Sequence, residues 1–180
     1  MPFNFISKKL SKLHKPFYLY QRENEQTMFI EERYEIEINK NNSDFEFTSV
    51  GKKGEIRKVV RFENYGVAGV VNLGFGDKDL ITGKIDDKVI TDNGDFEKVL
   101  VTVGFAVYLY SNLNPQIVIT FKGTNKARIR LYRIAISKFI ERISEDFEVH
   151  GLTKNDTDWH IFERNISYKA FLLKRKNNIL

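Results

Sequence analysis

The chain has 180 residues, 42% hydrophobic and 13% aromatic, with 29 basic against 24 acidic side chains and a formal charge of +5. Such a composition excludes a disordered chain, and this length buries about 70% of the unfolded surface, enough for a core without staples. Cysteine is absent, which excludes disulfides, thiolate catalysis and cysteine-based zinc sites.

The basic balance, with a sequence pI near 9.2, points toward a nucleic acid or another polyanion as partner, although the acids dilute it. No apolar run reaches the ~20 residues of a membrane span, so no transmembrane segment is expected. The opening MPFNFISKKLSKLHK sets lysines among its apolar positions and does not read as a secretory signal. A cytoplasmic protein of bacterial type is the expectation.

Residues 1–30 stand apart as a basic amphipathic arm. Phe3, Ile6, Leu10, Leu13 and Phe17 follow three- and four-residue steps, with Lys8, Lys9, Lys12 and Lys15 between them, and Pro16 ends any helix there. A stripe of this kind suits docking on a membrane surface or a partner. The favoured alternative is a terminal helix packed on its own body or on a second subunit.

From Glu32 the period changes. Tyr34, Ile36 and Ile38 alternate with Glu35 and Glu37, and the loop NKNNSD, the run DFEFTSV, the turn GKKG and the run EIRKVVRF follow. Alternating runs joined by short loops predict an antiparallel meander. GVVNLGFG supplies a fourth strand. A helix then opens at Asp92 or Asn93 and carries Phe96, Val99, Leu100, Val103, Val107 and Tyr110 on one face, with Pro115 beyond its end. QIVITF predicts a strand, residues 125–143 a second helix, FEVHGL another strand, and HIFERNISYKAFLLKR one long last strand alternating through Phe162, Ile166, Tyr168, Ala170 and Leu172. Residues 31–180 therefore read as a single α+β domain: an antiparallel sheet, begun as a meander of hairpins with later strands added, packed against two central helices.

The second helix carries the leading site. Lys126, Arg130 and Arg133 share one side, which Ser137 continues, while Ile129, Tyr132, Ile136, Ile140 and Ile143 form the core stripe. Arg128 borders that stripe. Gly123 permits close approach, Thr124 can cap, and together these residues form a candidate phosphate or carboxylate site, with Arg128 fixing orientation. Cations at a helix N-terminus oppose the macrodipole, so something negative is expected nearby. It is either a bound polyanion or the acids Asp77, Asp79, Asp86, Asp87, Asp92 and Asp95.

Those acids raise a second reading. Asp77 and Asp79 with Asp86 or Asp87 could converge on Mg²⁺ beside the arginines, as in metal-assisted phosphodiester cleavage. The spacing matches no EF-hand loop, and loop aspartates commonly serve turns. No other cofactor is evident. The glycines of GKKG and GFGDKDLITGK lack phosphate-loop spacing, and His14, His150 and His160 are too scattered for a metal motif. Basic and aromatic residues interleave in RLYR and RNISYKAFLLKRK, a pairing that nucleic-acid binders use.

GTNKARIRLYR resembles a GST-x-ARTRLYR signature of an uncharacterised bacterial protein family. Gly123, Ala127, Arg128, Arg130, Leu131, Tyr132 and Arg133 match it, whereas Thr124, Asn125 and Ile129 depart. FTSVGKKGEIRK, NLGFGD, IDD and NGDFEKVLVTV are similar to its other blocks, so the resemblance covers residues 45–140. It implies an independent domain and brings no activity. Three functional expectations result: binding of a phosphate-bearing partner such as RNA at residues 123–133; a metal-assisted, toxin-like phosphodiester enzyme; and a structural homo-oligomer, such as a homodimer, whose charges pair with one another.

Overall fold

The alternating runs become a meander because each ends in a turn that the next strand can follow. In a computed structural model that describes residues 33–86 and 91–176, β1 (Glu37–Ile38), β2 (Asp44–Gly51), β3 (Gly54–Asn64) and β4 (Val70–Lys78) pair antiparallel in that order. Gly54 ends the β2–β3 turn at a φ of 84°, left-handed backbone that glycine adopts without a steric penalty. β5 (Ile85–Asp86) pairs antiparallel with the end of β4. The predicted arm, residues 1–30, and Asp87 lie outside the described residues.

The later elements are α1 (Phe96–Leu113), β6 (Val118–Phe121), α2 (Lys126–Asp146), β7 (Phe147–Thr153), β8 (His160–Ile161) and β9 (Tyr168–Arg175). Strand order is β1-β2-β3-β4-β6-β9-β7-β8, with β5 on β4. Among the described residues this is an open, mostly antiparallel sheet of nine strands with two helices, the α+β class that the patterning predicts. One pairing departs from the expected antiparallel sheet. β6 runs parallel to β4, a geometry that needs a long crossover, and the connection containing α1 supplies it.

Register carries one apolar face from β2 across to β7. Phe45 lies opposite Val60 and Val60 opposite Phe75; Val71 lies opposite Ile119, Ile119 opposite Leu173, and Leu173 opposite Val149. These residues belong to one core, which both helices cover: Tyr110 stacks on Phe62, and Tyr132 meets Phe121 edge to face. Each such aromatic ring buried contributes on the order of 2 kcal/mol or more. The opposite face of the hairpins is ionic, with Arg57 bonded to Glu37 and Glu46, Lys78 to Glu46, and Arg61 to Asp44.

Three boundaries differ from the alternation. Only Glu37–Ile38 of the first run pairs as strand, because the Tyr34 backbone N–H donates to Thr102 Oγ1 on α1 at 3.0 Å instead of to a strand. α1 begins at Phe96, not at Asp92 or Asn93, since Gly94 at a φ of 85° breaks the helical path before it. The expected last strand divides into β8 and β9 around Asn165, which has a φ of 68°.

That division changes which side chains face inward. A register shift opposite Leu152 and Thr153 pairs Thr153 with Tyr168 but Leu152 with Ala170. One extra residue at Lys169 reverses the alternation. Phe171 and Leu173, not Ala170 and Leu172, therefore enter the core.

Candidate functional site

The N-terminus of α2 sits beside a break in the sheet. On one edge of β4, Val70–Asn72 pairs with β6 and Asp77–Lys78 with β5, so Leu73–Gly76 has no strand partner on that side among the described residues. Its outward carbonyls need donors from elsewhere. Arg128 supplies one, its Nη1 donating to Phe75 O at 2.6 Å.

This places Arg128 apart from the other predicted anion ligands. It is only 5% exposed and serves the protein's own backbone. Gly123 has a similar inward role: a Cβ there would stand 2.5 Å from Ile129 N and 2.8 Å from Ile129 Cγ1, so the missing side chain admits the first turn of α2. The cap is Asn125, one residue after the expected Thr124. Its side chain accepts from Arg128 N at 2.9 Å.

Lys126, Arg130 and Arg133 follow the helical spacing along the other side of α2. Lys126 and Arg130 are exposed, and among the described residues neither has an acidic partner. Arg133 is half-buried, and its Nη1 reaches Ile166 O at 3.5 Å.

Two of the acids expected to neutralise these cations, Asp77 and Asp79, are engaged elsewhere. Asp77 bonds Lys58 at 2.5 Å and accepts from the Thr91 hydroxyl. Lys58 itself is 5% exposed, so this is an ion pair inside the edge of the core. Asp79 caps its own turn by accepting from the backbone N–H groups of Thr82 and Ile81 at 2.8 Å, and these bonds hold its carboxyl below the usual carboxylate range. Asp86 stands opposite Asp77 in register. Among the described residues no three His, Asp or Glu side chains gather to hold a metal ion, and Asp87 lies outside them.

Residues 91–95 form a second polar cluster that periodicity does not reveal. Thr91 holds Asp77; Asn93 donates through Nδ2 to Ser49 Oγ and to Gly54 O, both at 3.0 Å, and accepts from Lys53 N at 2.7 Å. Asp95 accepts from Ser49 Oγ at 2.5 Å and from Tyr34 OH at 2.8 Å. Burial raises the Tyr34 phenol above its ordinary value, and the carboxylate beside it adds to the rise. A Cβ on Gly51 would lie 1.9 Å from Asn93 O. The turn GKKG and the run DNGD are thus two halves of one contact. Their glycines and asparagine were the available signal, but nothing local says that they meet.

Two clefts open on the surface near these clusters. One, of about 670 Å³, is lined by Tyr34, Val50, Gly94, Asp95, Phe96, Glu97 and Lys98. Its acids do not suit an anion, and Lys98 already lies over the Tyr34 ring at 4.3 Å. The other, of about 350 Å³, is lined by Arg133, Ile134, Ser137 and Asn165. It contains no acid. Asn165 had no role in the sequence reading; the only hint was an asparagine after the polar pair Glu163 and Arg164, a residue that tolerates left-handed backbone.

No described helix is long and apolar enough to cross a membrane. A search of the curated proteins and a search of the solved structures each give no match. Residues 30–176 match the model of a family of unknown function, DUF6934. With most of its length covered, the chain belongs to that family.

Proposed function

We propose that the chain binds a phosphate-bearing partner, single-stranded RNA in particular, along the side of α2 that carries Lys126, Arg130 and Arg133. The observation supporting this reading is an imbalance of charge. Each cation in the first turns of a helix costs a few tenths of a kcal/mol up to ~1 against the macrodipole. Lys126 lies in the first turn and bears that cost, and neither it nor Arg130, one turn on, has an acidic partner among the described residues, while Asp77 and Asp79 are held in other contacts. A polyanion would supply the missing negative charge. From Lys126 to Arg133 the row spans about 10 Å at ~1.5 Å per residue, a length suited to a few successive phosphates.

Arg128 takes no part in contacting the partner in this scheme. It ties the helix start to β4 and so sets the direction in which the exposed cations point. Gly123, just before the helix, leaves room for its first turn.

The test is fluorescence anisotropy of a labelled mixed-sequence RNA at several salt concentrations. Each phosphate neutralised on a single strand adds ~0.7 to the log–log salt slope, so three contacts give a slope of about −2. Replacing Lys126→Glu and Arg130→Glu together should abolish binding without moving the urea midpoint. Unchanged affinity in that variant would sink the proposal.

A further inference from the structure

The cation row runs into the acid-free cleft of Arg133, Ile134, Ser137 and Asn165. At about 350 Å³ it lies near the lower end of small-ligand sites, roughly the size for one nucleotide unit. Three of its residues bring donors. The Arg133 guanidinium makes one long bond to Ile166 O; the Ser137 hydroxyl and the Asn165 amide have no hydrogen-bond partner among the described residues.

Beside the cleft, Arg164 reaches back to α2. Its Nε and Nη2 each donate to Ser137 O at 3.2 Å, and Nη2 also bonds Glu141 Oε1 at 2.5 Å. This bond holds the Glu141 carboxyl below the usual carboxylate range and keeps it occupied, one helical turn beyond Ser137. Arg164 thereby lies across the helix side on which the row runs. A strand following Lys126, Arg130 and Arg133 meets a barrier at Ser137.

We propose that the cleft receives the terminal phosphomonoester of the bound strand, an inference that rests on the RNA reading above. A terminal monoester carries close to two negative charges near neutral pH and three acceptor oxygens, whereas an internal diester carries one charge and two free oxygens. A guanidinium fork, a hydroxyl and an amide match the three oxygens. The barrier at Arg164 suits a chain end rather than a chain passing through.

The experiment is competition against a labelled strand by three short RNAs of one sequence: a 5′-phosphate, a 3′-phosphate, or hydroxyls at both ends. One phosphorylated strand should compete about tenfold better than the hydroxyl strand, the scale of a charge-assisted hydrogen bond, and the two arms reveal which terminus enters. Ser137→Ala with Asn165→Ala should cut that preference severalfold, leaving what Arg133 supplies, and leave the affinity for the hydroxyl strand unchanged. Equal competition by all three strands overturns the inference while leaving the RNA reading intact. So does a preference undiminished in the double variant, which would be a plain charge effect. Failure of every strand to compete at low salt overturns both readings. Should the double variant not fold, the comparison among the three strands on the unaltered protein still decides.

Discussion

Residues 91–95 and the first turns of α2 hold similar side chains, threonine, asparagine and glycine close to charged groups, and put them to opposite uses. In the first region the side chains of Thr91, Asn93 and Asp95 turn inward and find partners on β2, β4 or the β2–β3 turn. In the second, Asn125 and Arg128 turn inward, but Lys126 and Arg130 project outward with no acid to meet them. The difference separates what the fold consumes from what it leaves available. A polar group satisfied inside the protein is there for stability. A charge kept at a local cost and left unanswered is the better candidate for binding.

Four measurements sharpen or break this contrast. The largest effect is expected at Lys58, where replacement by alanine leaves Asp77 partly buried and unpaired. That should cost about 3–5 kcal/mol in urea unfolding. Asn93→Leu comes next, since it strands the Gly54 carbonyl and the Lys53 N–H; a loss of about 2–3 kcal/mol is expected from the same measurement. A loss below about 0.5 kcal/mol would show, at Lys58, that its pair with Asp77 is not consumed by the fold, and, at Asn93, that residues 91–95 do not lock the hairpin turn as the hydrogen bonds indicate.

On the other side of the comparison, the Lys126→Glu and Arg130→Glu pair should leave stability within about 0.5 kcal/mol, or raise it by a few tenths by favouring the macrodipole. A large destabilisation would mean that these cations have structural work and would erase the contrast. The smallest effect belongs to Asp79. Its folded-state pKa is depressed by the N–H groups of Thr82 and Ile81. Its stabilisation is therefore present above the unfolded-state pKa and is lost as pH falls through the folded one. Urea midpoints followed into the acid range should show a shallower decline for Asp79→Ala than for the unaltered chain.

Much of the architecture is legible in the residues themselves. The hairpins are marked by Gly51, Gly54 and the alternation on either side, and α2 by the stripe from Ile129 to Ile143. The row Lys126, Arg130 and Arg133 follows from helical spacing alone. Arg128 was harder to place. Spacing puts it at the border of the core stripe, but its inward course depends on a bare carbonyl on β4 that no local pattern announces. The cleft at Asn165 lies further still from sequence, since it forms only where Asn165 comes against Arg133 and Ser137 of α2.

The sequence by itself determined the class of the fold, the order of its elements and the side of α2 that carries charge. These rest on periodicity and turn chemistry, interactions among near neighbours in the chain. Tertiary structure alone decided that β6 runs parallel to β4, that a bulge at Lys169 sends Phe171 and Leu173 into the core, and which polar groups spend their hydrogen bonds inside. Those outcomes depend on which distant backbone and side-chain groups come within about 3 Å of each other, and hydrogen bonding has no reach beyond that contact.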